Sequence, residues 1–313
     1  MRLAIMGSGG VGGYFGARLA EAGEDVTFIA RGEHLATIRR SGLHVSSPEG
    51  DLVLEDVSAT DDPGEIGVVD AVIVAVKAWQ VPTAAETIRP LVGPDTLVLP
   101  LENGVEAADQ LSEVLGEAPV LDGLCGILAW REAPGHIRHA GVSPFIRFGT
   151  RLPAQRPGAE RLKAVFDRAI GVAAELPEDI EAAVWSKFLF ICAMSGIGSL
   201  TRAPLGVTRR LPETRRLIVQ ILGEIEAVAR ARGVALPSDA VARAMDFIDA
   251  MPATSTASMQ RDIVAGRPSE LEAQNGAVVR LGQSVNVATP MNAMIHAALL
   301  PQENAARGLV TDA

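Results

Sequence analysis

The chain has 313 residues, 48% of them apolar and 21% charged, with a formal net charge of −10. At roughly 100–200 residues per domain this length predicts about two domains with cores large enough to need no disulfide staples, and the composition excludes collagen-like and disordered chains. An acidic balance repels phosphate backbones and anionic lipid heads, so nucleic acid and membrane surfaces are not expected as partners.

Only two cysteines occur, Cys125 and Cys192, each in an apolar stretch. They read as buried, reduced thiols, and the N-terminus turns into glycine too soon for a secretory signal, so a cytoplasmic location is expected. The longest apolar runs, Ala71 to Val76 and Phe188 to Met194, fall short of the ~20 residues of a membrane span.

From the N-terminus, Leu3 to Met6, Asp25 to Ala30, Ala71 to Val76 and Thr96 to Leu101 are near-continuously apolar. Such runs suit parallel strands covered on both faces by helices, a doubly wound α/β sheet. Leu43–Val45 and Leu52–Leu54 flank a turn-rich spacer and predict an antiparallel hairpin inserted into that pattern; Gly135 to Gly149 forms a further strand-rich patch. After about residue 180 the period changes to 3.6. Leu217, Ile218, Ile221, Leu222, Ile225 and Val228 form one stripe, ended by Gly233 and Pro237; Ser238 and Asp239 are candidate caps for the next helix, and Thr289-Pro290 opens the last one. The expected architecture is a Rossmann-type α/β domain over 1–178 and an all-helical domain over 179–313, with a tail from Gln302 to Ala313 that frays. The helical stripes suit either an internal core or a dimer face, and a homodimer is the expectation.

Gly7-Ser8-Gly9-Gly10-Val11-Gly12 fits G-x-G-x-x-G between an apolar strand and a helix-like stretch from Tyr14. That context marks a dinucleotide loop: Gly7 for the tight turn, Gly9 for close approach of a pyrophosphate, Gly12 for helix–strand packing. The second strand ends Phe28-Ile29-Ala30-Arg31, where an NAD site would place an acid. A guanidinium there suits a 2′-phosphate, which favours NADP(H). Lys77 and Gln80 follow the third run and Asn103 the fourth, where loops after strand C-termini line a ligand crevice.

In the helical part, Lys187 heads an apolar segment, Trp185 to Ile191, where it either snorkels or works, and Glu270 lies near a predicted helix start that favours its ionised form. No metal site is expected. His136 and His139 sit in a strand-like patch pointing to opposite faces, and His34, His44 and His296 are isolated.

Over nearly its whole length the chain resembles the ketopantoate reductase (2-dehydropantoate 2-reductase) family. The resemblance rests on the Gly7–Gly12 loop, Arg31, Lys77-Ala78-Trp79-Gln80, Glu102-Asn103-Gly104, Trp185-x-Lys187, Ser258-Met259 with Asp262, and Glu270 with Asn275-Gly276. It implies an NADPH-binding Rossmann domain, a helical second domain, and reduction of a 2-oxo acid, with 2-dehydropantoate, an intermediate of pantothenate biosynthesis, as the family substrate. It also implies that Lys187 is the general acid, that Asn103, Ser258 and Glu270 hold the 2-oxo acid, with Glu270 orienting Lys187 or binding a substrate hydroxyl, and that Asn103, Lys77 and Gln80 touch the cofactor. Two positions depart from the family pattern: Ile191 stands where an asparagine that faces the substrate is common, and Ser195 where a second asparagine is frequent. Ile191 either points into the helical core or lines the site, and if it lines the site a bulkier or less hydroxylated 2-oxo acid is the expected substrate. Two alternatives stay open, a reductase of another oxo or imine compound and a non-catalytic NADP(H) sensor.

Overall fold

The computed structural model of the protein describes residues 1–309. The chain divides into two compact units, Met1–Glu102 with Ala107–Ile180, and Asn103–Glu106 with the residues from Glu181 onward.

The first unit runs β1 (Arg2–Met6), α1 (Gly10–Glu21), β2 (Asp25–Ile29), α2 (Gly32–Ser41), β3 (Leu43–Ser46), β4 (Leu52–Leu54), β5 (Ser58–Thr60), β6 (Ala71–Val74), α3 (Val81–Ile88), β7 (Leu97–Pro100), α4 (Ala107–Leu115), β8 (Asp122–Ala133), β9 (His136–Gly149), α5 (Arg156–Phe166) and β10 (Ala173–Glu175). A five-stranded parallel sheet has the order β5-β2-β1-β6-β7. Every residue of β6 and β7 is buried, as the near-continuous apolar runs require for strands covered on both faces. Alternation then sorts β1: Leu3 and Ile5 join the cluster that includes Phe15, Leu19 and Phe28, while Ala4 and Met6 join Val72, Val74, Ile88 and Leu111.

The structure corrects the strand count. β5, only three residues long, adds a fifth strand to the parallel sheet. The β3–β4 hairpin is antiparallel, with Leu43 opposite Leu54, yet it belongs to a second sheet of order β10-β9-β3-β4, with β8 paired to β9. Of the long β8–β9 hairpin only the β9 side was legible, because β8 carries Gly123 and Gly126 and ends in Trp-Arg-Glu-Ala rather than in an apolar run.

The second unit is helical: α6 (Ile180–Thr201), α7 (Leu205–Thr208), α8 (Pro212–Ala231), α9 (Ala240–Ala250), α10 (Ser258–Val264), a single π-helical turn (Glu272–Gly276), α11 (Ala277–Ser284) and α12 (Pro290–Ala306). The α8 stripe is buried from Ile218 to Val228, Asp239 caps α9, and Thr289-Pro290 opens α12. α12 continues through Gln302 to Ala306, so that part of the expected fraying tail is ordered helix; residues 310–313 lie outside the described residues. α6 corrects the estimate of apolar length: its 22 residues are long and apolar enough to cross a membrane. In this fold Trp185, Phe188, Leu189, Cys192, Met194 and Ile197 spend that apolarity on the helical core, as a helix apolar all round does at the centre of a bundle.

Candidate active site

In the first unit the loop from Met6 to α1 has the shape of a dinucleotide cradle. Gly7 turns at φ +97°, and a Cβ there would stand 2.7 Å from the Ala75 carbonyl oxygen. At Gly12 a Cβ would collide with the Gly7 carbonyl oxygen and stand 2.9 Å from Ile5 Cγ2, so only glycine lets α1 lie this close to β1. Gly9 differs in kind, since a Cβ there would meet nothing within 4 Å. The backbone is bare toward open space where α1 begins, and free N–H groups with the positive helix end suit a pyrophosphate. The loop therefore fits a dinucleotide, with Val11 half-buried behind it and Gly10 packed on β8, 2.5 Å from the Ala129 carbonyl carbon to a Cβ built there.

Ser8 is buried, and its carbonyl accepts from His34 Nε2 at 2.7 Å. His34 Nδ1 accepts from the Gly135 amide at 2.9 Å, which fixes the ring as neutral with its proton on Nε2. Burial pushes its pKa down, outweighing the Ser8 bond that raises it, and the Arg131 charge lowers it further. An isolated histidine in sequence thus proves to brace the glycine loop; its only advance sign was its place three residues after Arg31. Arg31 itself caps α2 in extended conformation and is exposed.

The loops after β6 and β7 are tied together by Glu102, a buried carboxylate that accepts from the amides of Val76 (2.9 Å) and Leu101 (3.1 Å). Gln80 closes the turn after β6 by accepting from the Lys77 amide at 3.2 Å, and the Lys77 ammonium stands 5.8 Å from the Trp79 ring centre. Glu102 has no role legible in its sequence motif; two loop amides on one carboxylate supply one.

Asn103–Glu106 groups with the helical unit because its side chains are held there. Val105 packs on the helical core, and Arg280 pairs with both Glu106 (2.8 Å) and Glu272 of the π-helical turn (3.0 Å). Lys187, in the second turn of α6, donates from Nζ to Asn103 Oδ1 at 2.9 Å. Asn103 Nδ2 donates in turn toward Glu270 Oε2 at 3.4 Å, and Glu270 is buried just before the π-helical turn. Lys187 and Glu270, 83 residues apart in sequence, are thus joined through one carboxamide. Among the described residues Lys187 forms no ion pair, so two of the three ammonium donors are uncommitted.

Ser258 is the first residue of α10 and half-buried; no hydrogen bond links it to Lys187, Asn103 or Glu270 among the described residues. Ile191 is partly buried against the helical core, whereas Ser195 is fully buried and its hydroxyl has no partner among the described residues. Asn275, on the π-helical turn, donates to Asn292 Oδ1 at 2.9 Å, and Asn292 donates to Glu224 at 2.7 Å. Single-turn π-helices recur at functional sites, and this one directly follows Glu270.

Two family descriptions match: ketopantoate reductase PanE/ApbA over residues 3–152 and ketopantoate reductase PanE/ApbA C terminal over residues 179–303. An uncharacterized oxidoreductase of Bacillus subtilis, YkpB, is 32% identical over 305 residues, spanning 96% of this chain and 98% of its own. The crystal structure of 2-dehydropantoate 2-reductase from Geobacter metallireducens superposes with a TM-score of 0.89 at 33% identity, covering 96% of this chain and 99% of that one. D-mandelate dehydrogenase, in a ternary structure with NADH and anilino(oxo)acetate, has the same fold at 23% identity, with a TM-score of 0.89 over 98% of this chain and 99% of its own.

Proposed function

This chain belongs to the ketopantoate reductase family, a family of oxidoreductases, and from that premise we propose that it reduces a 2-oxo acid to the 2-hydroxy acid with NADPH. The observation that carries the reading is the Lys187–Asn103–Glu270 chain, with its ammonium held by one carboxamide oxygen. When bound, the reduced nicotinamide supplies a hydride. The ketone oxygen then gains alkoxide character, which the Lys187 ammonium stabilises and protonates; the neutral amine recovers its proton from water. Asn103 fixes where that proton stands, and Glu270, through Asn103 Nδ2, fixes which way the carboxamide faces. Ser258, at the start of α10, is the proposed further anchor for the substrate. NADPH rather than NADH is favoured by Arg31, in the place where an acid would serve a ribose hydroxyl.

The name of the Geobacter relative makes 2-dehydropantoate the first substrate to try, and its reduction would place the enzyme in pantothenate biosynthesis in the cytoplasm. One observation favours a second reading. Ile191 offers no polar atom and Ser195 is sealed in the core, so a hydroxyl of the substrate resting on this side of α6 goes unmatched. An unmatched polar group costs ~1–3 kcal/mol, roughly 5- to 150-fold in kcat/KM. We therefore expect slow but measurable 2-dehydropantoate reduction and faster turnover of a less hydroxylated 2-oxo acid. The test is NADPH oxidation with a panel of 2-oxo acids, aldehydes and imines. A 2-dehydropantoate kcat/KM of about 10⁵ M⁻¹s⁻¹ or more contradicts the second reading. Tight NADPH binding without turnover of any compound contradicts the enzyme reading and favours a sensor.

A further inference from the structure

The β8–β9 hairpin carries a cation, Arg131, beside the start of α1. Its turn, Pro134–Gly135, lies between the paired residues Ala133 and His136, with Gly135 at φ +72°, as a type II turn demands. Gly135 donates to His34 Nδ1 and accepts from the His44 amide, both at 2.9 Å, so α2 and β3 hold the tip in place. Through His34 the same tip is fixed to the Ser8 carbonyl of the glycine loop.

Arg131 lies four residues before that tip, directly opposite Ile137. Opposed residues of an antiparallel pair share a sheet face. The Ile137 side chain faces α1, 2.8 Å from a Cβ built on Gly13; two pairs along, and so on the same face, Ala129 opposes His139, whose ring meets Tyr14 of α1 at 5.0 Å between centroids. Arg131 therefore leaves the sheet on the α1 side. It does so where α1 begins, since a Cβ on Gly10 would stand 2.7 Å from Trp130 Cα. Arg131 is exposed, and no carboxylate pairs with it among the described residues, whereas Arg138 nearby on β9 is neutralised by Glu132 at 2.6 Å. The Arg131 charge also lowers the pKa of His34, three residues after Arg31, so this uncompensated guanidinium stands near the start of α2 as well as that of α1, where it attracts an anion.

We infer that Arg131 is a second cation for the cofactor's 2′-phosphate, acting with Arg31. This rests on the NADPH reading and extends it from one residue to a pair on separate elements, α2 and β8. Two guanidiniums recognise a phosphate better than one because each adds charge-assisted hydrogen bonds to it.

Isothermal titration of the full-length protein tests this with four probes: NADPH, NADH, 2′,5′-ADP and ADP. Arg131→Gln is expected to weaken NADPH and 2′,5′-ADP about 10- to 100-fold and to leave NADH and ADP within about twofold, with Arg131→Lys recovering part of the loss. Equal losses for all four probes would assign Arg131 to the pyrophosphate or to the fold and overturn the proposal, as would no loss at all. If the wild type binds NADPH no better than NADH, the cofactor reading itself fails. If it prefers NADPH and Arg131→Gln keeps that preference, only this inference fails.

Discussion

His34 can brace the glycine loop only while neutral, because its Nδ1 must accept from Gly135 as its Nε2 donates to Ser8. Burial lowers its pKa from the ordinary 6.5, so below about that pH an unfolded chain takes up a proton that the folded chain refuses. Stability then rises with pH across the window between the lowered folded value and 6.5, and is lost as the pH falls through it. The thermal midpoint of the wild type should accordingly drop more steeply on acidification from neutral pH than that of His34→Gln, whose amide has no such titration. Parallel pH profiles for the two proteins would remove His34 from this role. The sequence offered little warning: a histidine in the first turn of α2 looks like any amphipathic position until the hairpin tip, 101 residues on, is seen against it.

At the scale of elements, the glycines of the first loop separate stability from binding. Gly9→Ala meets nothing within 4 Å and keeps an extended backbone at φ −75°, so melting should be unchanged while NADPH binding weakens at least tenfold. Gly12→Ala drives a methyl into the Gly7 carbonyl and Ile5, and should lower stability by about 1–3 kcal/mol as well as binding. Differential scanning calorimetry alongside NADPH titration reads both; a Gly9→Ala protein that binds normally would show that no phosphate approaches there. The strand-loop-helix context made this loop legible, because strand, turn and helix signals are all local. β5 and β8 were not, since their pairing partners lie far along the chain and supply order that three residues, or a glycine-bearing segment, do not encode themselves. The π-helical turn after Glu270 likewise leaves no mark in hydrophobic periodicity.

For the molecule as a whole, sequence patterning was sufficient to identify a parallel α/β unit followed by a helical one, since the change of period near residue 180 coincides with the start of α6. It could not show that Asn103–Glu106, flanked by β7 and α4, groups with the helical unit, which is what brings Asn103 to Lys187. That assignment depends on Arg280 and on the packing of Val105, contacts made across more than 170 residues for the arginine. The central claim is that the Lys187 ammonium, placed by Asn103, delivers the proton in 2-oxo acid reduction. Its most direct test is kcat of Lys187→Ala on the best substrate of the panel, measured beside its NADPH dissociation constant. We expect kcat to fall by about 10²- to 10⁴-fold with NADPH affinity within about twofold of wild type. A variant that binds NADPH normally and keeps most of its rate would contradict the account.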